Sequence, residues 1–107
     1  MNIDHVIVGP YRYEIKFDKE AMDVDNKAKG KISYGIIRYA KREIIIDPSY
    51  PHDLLVTTLV HEVWHAVYEL AYLDNKVSEE VMISSTSPLW VDTLRRNPEL
   101  VKIIMGE

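Results

Sequence analysis

A chain of 107 residues falls within the size of one ordinary domain, so residues 1–107 read as a single core with no separate substrate module. Hydrophobic residues at 47% and charged residues at 28% exclude a disordered tail, and a net charge of −4 supplies no positive field for nucleic acid, the pair Arg95-Arg96 being too small to change that. Cysteine is absent, which removes disulfides and thiolate ligands, so any metal must be held by nitrogen and oxygen.

Residues 1–5 carry neither a basic n-region nor a long apolar run, and no stretch is long enough to span a bilayer, so a cytoplasmic protein without a membrane partner is expected. Residues 11–17 alternate, with Tyr11, Tyr13, Ile15 and Phe17 on one side, which is the period of a half-buried strand. Residues 18–31 are charged with scattered apolar positions and read as a loop holding at most one helical turn at 19–24. Residues 31–39 and 43–47 are rich in isoleucine or tyrosine and flank the polar Ala40-Lys41-Arg42, a hairpin pattern. The first half is therefore expected to be a small antiparallel sheet of about three strands. Pro48 and Pro51 end it, and residues 52–73 follow as a long helix closed by Asp74-Asn75. Ser78 reads as the cap of a further helix with Glu79 and Glu80 in its first turn. Ser87-Pro88 is expected to interrupt that helix, leaving short helices at 89–96 and 98–105 divided at Asn97-Pro98. The fold class is α+β, with one long buried helix after the sheet.

That helix contains His61-Glu62-Val63-Trp64-His65. Residues four apart on a helix share a face with β-carbons about 5–6 Å apart, so two imidazoles at this spacing can hold one ion at about 2.0–2.1 Å per bond. Glu62 is offset around the axis and can reach a metal-bound water without taking a coordination position. This is the geometry of zincin metallopeptidases, with His61 and His65 as ligands of Zn2+ and Glu62 as catalytic base. The helix is apolar nearly all round, so the pattern expects it to be largely buried. An unpartnered buried polar group costs about 1–3 kcal/mol, and an ion would partner both rings. The plainer alternative makes His61 and His65 ordinary hydrogen-bonded histidines, with Glu62 on the solvent side.

A catalytic zinc needs a third protein ligand and an open fourth position. No histidine follows His65, and Tyr68 and Ala71 stand where an extended three-histidine pattern needs Gly and His, so a carboxylate is expected. Glu69 shares the face but lies about 12 Å along the axis from His61, too far to close on the same ion. Asp74 is a weaker candidate than Glu79 and Glu80, which open the next helix after a short turn. Glu79 shares the more continuous apolar face with Met82, Thr86 and Leu89 and is preferred; Glu80, in phase with Ile83, Ser84 and Ser87, is the runner-up. Tyr68 and Tyr72 continue the histidine stripe and read as core tyrosines, Tyr68 being the lesser candidate for an oxyanion donor. His5 and His52 read as exposed and unrelated to the site.

Gly30-Lys31-Ile32-Ser33-Tyr34, Ile44-Ile45-Ile46-Asp47, Thr58-Leu59-Val60-His61-Glu62-Val63-Trp64-His65, Ser78-Glu79-Glu80-Val81 and Asn97-Pro98-Glu99-Leu100 together resemble the small zinc metallopeptidase-like proteins of tailed phages and prophages, a minimal gluzincin pattern. The resemblance spans roughly residues 30–102. It implies an α+β fold with a strand before the metal helix, zinc on both histidines and a downstream glutamate, Glu62 as base, and the cytoplasm of a bacterial host. Ser84-Ser85-Thr86 and Pro88 depart from the pattern.

The function expected is zinc-dependent peptide-bond hydrolysis, with a peptide or protein substrate pairing along an exposed strand at residues 43–47. The alternative is a metal-stabilised, catalytically inactive binding or structural protein of phage origin.

Overall fold

The computed structural model describes residues 1–72 and 76–106. The alternating segment Tyr11–Phe17 (β2) pairs in antiparallel register with His5–Val8 (β1), a strand whose four residues the pattern does not announce. The turn between them needs Gly9, which adopts φ +59° and stands where a Cβ would meet the Leu70 side chain at 2.5 Å.

Residues 19–29 are a full helix and not a loop: Lys19–Lys29 (α1) runs eleven residues between an Asp18 cap, whose carboxylate accepts the Ala21 N–H, and a left-handed Gly30. Its ends match the helix dipole, with Glu20 in the first turn and Lys27 and Lys29 in the last. Only Met22 is fully buried, which is why apolar periodicity misses it.

Gly35–Arg38 (β3) and Glu43–Ile46 (β4) form the expected hairpin. The sheet has four strands in the order β1-β2-β4-β3 and is mixed, because β4 lies parallel to β2. A parallel pair requires a crossover, and α1 supplies its bulk. Ile44 and Ile46 face one side of the sheet and Ile45 the other, where α1 contacts β4 and buries Met22.

His52–Leu70 (α2) packs on the first side, with Leu59, Val63, Ala66 and Val67 against Val6, Val8, Tyr13, Ile15, Ile44 and Ile46. The buried positions recur four apart, so α2 buries one face and leaves His61, His65 and Trp64, 43% exposed, facing outward. The expectation of a helix buried nearly all round is thus corrected. The helix ends earlier than expected, at Leu70 with Ala71 as its cap and Tyr72 in left-handed backbone at φ 54°, while the expected closure at Asp74-Asn75 lies outside the described residues.

Glu79–Arg96 (α3) starts as expected at Ser78, whose hydroxyl accepts the Val81 N–H at 3.2 Å. It passes through Pro88 without restarting. Proline leaves the Ser84 carbonyl without its helical donor, but Ser84 and Pro88 are both exposed, so water can serve it. Asn97 ends α3 and anchors β1: its Oδ1 accepts the Ile7 N–H at 2.8 Å, and its Nδ2 donates to the Ile7 and Thr93 carbonyls at 2.8 and 2.7 Å. Pro98–Met105 (α4) follows, burying Leu100. Among the described residues, no helix is long and apolar enough to cross a membrane.

Candidate metal centre

The site is set where α2 passes under the edge strand β3. Gly35 permits the approach: a Cβ there would lie 2.7 Å from Thr58 Cγ2 and 3.4 Å from Glu62 Cγ. A side chain there would have to displace the Thr58 methyl group, so the close approach of α2 to β3 depends on this glycine. Ahead of β3, Asn26 holds Ser33 by two hydrogen bonds, at 2.9 and 3.2 Å, and Tyr34 lies edge-on to Tyr50 with centroids 4.6 Å apart. Ser33, Tyr34, Gly35, Thr58, His61 and Glu62 thereby share a cleft of about 400 Å³.

The two imidazoles lie 4.9 Å apart between centroids, with Nε2 3.2 Å from Nε2. Two nitrogens bound to one tetrahedral ion at about 2.0–2.1 Å each stand about 3.3–3.4 Å apart, so the pair fits a single small cation with almost no rearrangement. Without an ion, the same contact is a hydrogen bond from one ring to the other. Burial first, and then the neighbouring His61, hold the His65 imidazole below its ordinary value, which favours the neutral form a ligand needs.

Glu62 sits on the protein side of the pair, only 4% exposed, which reverses the alternative that placed it toward solvent. Its Oε2 is buried with no hydrogen-bond partner among the described residues. Burial pushes its carboxyl above the usual carboxylate range, against the opposing pull of His61 and Lys29. An orphaned carboxylate oxygen beside two converging imidazoles suits a bound cation and its water. His61, Glu62 and His65 offer ligand atoms all within 4.8 Å of one another and form a group that could hold a metal ion.

That group includes neither Glu79 nor Glu80. Both are exposed at the start of α3, where Glu80 Oε1 accepts the Ser84 hydroxyl at 3.1 Å. α3 passes the site at Trp90, stacked on Trp64 with centroids 4.7 Å apart. Glu79 is eleven residues earlier, about 16 Å along the helix axis. Glu69 is engaged elsewhere, accepting the Tyr13 hydroxyl at 3.3 Å with the Arg42 guanidinium 3.7 Å away. Asp74 is outside the described residues.

Tyr68 is half-buried and Tyr72 exposed, and neither lines the cleft. The tyrosine that does is Tyr34, overlooked because a residue ahead of a strand carries no helical phase relative to the motif. His52 is exposed as expected, and His5 pairs with Asp4 at 2.6 Å. The strand expected to receive a substrate is corrected: β4 is internal, hydrogen-bonded to β2 and to β3. The open edge beside the cleft belongs to β3. Comparison with protein-family models, curated proteins and solved structures finds no match to this chain.

Proposed function

We propose that the chain is a zinc-dependent metallopeptidase, with His61 and His65 as metal ligands and Glu62 as general base. The observation that supports this reading is the buried Glu62 carboxylate, whose Oε2 has no hydrogen-bond partner among the described residues, beside two imidazole nitrogens 3.2 Å apart. His61 and His65 would hold the zinc, which would supply Lewis acidity toward a carbonyl and toward water. Glu62, whose desolvated carboxylate is a stronger base than an exposed one, takes the proton of the attacking water and passes it to the leaving amine. The β3 edge holds an extended peptide by strand addition, beside the cleft that Gly35 and Glu62 line. A carboxylate is proposed to complete the site; Glu79 and, as runner-up, Glu80 stand about 16 Å along α3 from its approach to the site, so the zinc affinities of their alanine variants decide whether either supplies it.

Both histidines belong to α2, so an ion on them alone ties no two elements together. Elemental analysis of purified protein tests the metal assignment: about one zinc per chain is expected, and none when His61 and His65 are both alanine. Full metal content in the double variant would refute it.

A further inference from the structure

Arg42, which closes the turn between β3 and β4, holds φ 53°, a left-handed conformation that arginine rarely adopts and that asparagine or glycine accepts at little cost. The turn's own backbone bond, from the Arg42 N–H to the Tyr39 carbonyl at 3.2 Å, requires no particular side chain. What the arginine adds is a link between three elements. Its guanidinium lies 3.6 Å over the Tyr11 ring of β2, donates to the Tyr13 hydroxyl at 2.8 Å, and stands 3.7 Å from Glu69 Oε2 on α2. Tyr13 completes the chain by donating its hydroxyl to the same Glu69 oxygen at 3.3 Å. Tyr13 is fully buried, so its hydroxyl depends on these partners.

The β3–β4 hairpin therefore meets α2 at two places. At Thr58 the helix lies against Gly35, and at Glu69, about 16 Å further along its axis, it meets the Arg42 link. His61, Glu62 and His65 lie between the two. Because β3 is paired with β4 along its length, the turn and the cleft wall move as one hairpin. The apolar contacts beneath α2 are non-directional, whereas the Arg42 link is directional. We propose that Arg42 is a positioning residue, which fixes the gap between β3 and α2 and with it the width of the cleft that an extended peptide enters. The occupant of the cleft rests on the metallopeptidase reading; the fastening of hairpin to helix does not.

Isotope-labelled wild type, Arg42→Asn and Arg42→Lys are compared by NMR. Asparagine suits left-handed backbone, so Arg42→Asn removes the guanidinium without straining the turn, while Arg42→Lys keeps a donor and a positive charge. The Gly35 amide and Thr58 methyl resonances should shift in Arg42→Asn and return toward their wild-type positions in Arg42→Lys. Changes confined to Tyr11, Tyr13 and Glu69 would overturn the proposal and make Arg42 a support of the turn alone. If Arg42→Asn fails to fold, Glu69→Gln, which removes the charge at the other end of the link, is read in the same way. Peptides cleaved by the zinc-loaded wild type give the second readout. KM should rise in Arg42→Asn by about fivefold for each main-chain hydrogen bond that the displaced edge no longer makes, with kcat close to the wild-type value. A fall in kcat at constant KM would overturn the positioning role. No cleavage by wild type would overturn the metallopeptidase reading, and the resonances would then decide the fastening by themselves.

Discussion

Replacing Glu62 by glutamine should raise the stability of the metal-free protein at neutral pH. The residue is 4% exposed, and its Oε2 lacks a hydrogen-bond partner among the described residues. Burial raises its pKa in the folded state above the ordinary value. For an acid shifted in that direction, the folded state binds the proton more tightly than the unfolded state does. Its contribution to stability is therefore fully present below the ordinary carboxylate pKa and is lost as pH rises through the folded-state value. Glutamine keeps the volume and removes the charge. An unsatisfied buried polar group costs about 1–3 kcal/mol, more when charged, so a gain of about 1 kcal/mol at pH 7.5 is a modest expectation. In a domain of this size that corresponds to about 4–8 °C in Tm. The assay is a set of melting curves for wild type and Glu62→Gln in the presence of chelator, from pH 4 to pH 8. The difference should be largest at the alkaline end and vanish near pH 4. A variant less stable than wild type at pH 7.5, or a difference independent of pH, would show that the carboxylate is not desolvated in the folded chain.

Zinc affinity, measured by competition with a chromophoric chelator, should fall more for Glu79→Ala than for Glu80→Ala. The reverse order would exchange the two ligands. If neither matters and Glu62→Gln loses metal, Glu62 is a ligand and not the base. Asn97→Ala should lower stability by about 3 kcal/mol, roughly 1 for each of its three hydrogen bonds to Ile7 and Thr93, with zinc content unchanged. Urea unfolding would check this, and a loss below about 1 kcal/mol would mean that Asn97 does not anchor β1.

The helical pair His61 and His65, the hairpin around Lys41 and the Ser78 cap were legible in the sequence because each is a local rule: four-residue spacing, alternation, a hydroxyl before acids. α1 was not, since its stability comes from caps, i,i+4 pairs such as Lys19 with Asp23, and one buried methionine, and an apolar count sees none of these. With α1 taken as a loop, the crossover and the parallel β2–β4 pairing could not be anticipated. Pro88 misled because proline's cost inside a helix argues for a break, whereas here Pro88 and Ser84 lie on the exposed side, where water can serve the freed carbonyl and the helix runs on. The site itself was half legible. Its donors lie within one turn of one helix, but its walls, Tyr34 and Gly35, come from a strand that only tertiary packing brings to Glu62. The placement of Glu79 likewise depends on how α3 packs against α2, which helical phase does not encode.

Glu62 is proposed to act as a base on water held at the metal site. Zinc-loaded wild type and zinc-loaded Glu62→Gln, matched in metal content, are incubated with a broad peptide library, and the products are read by mass spectrometry. Wild type should cleave, and Glu62→Gln should be slower by about 10²–10⁴-fold. Undiminished cleavage by Glu62→Gln would contradict the mechanism, and no cleavage by either form would leave a metal-holding binding protein in place of an enzyme.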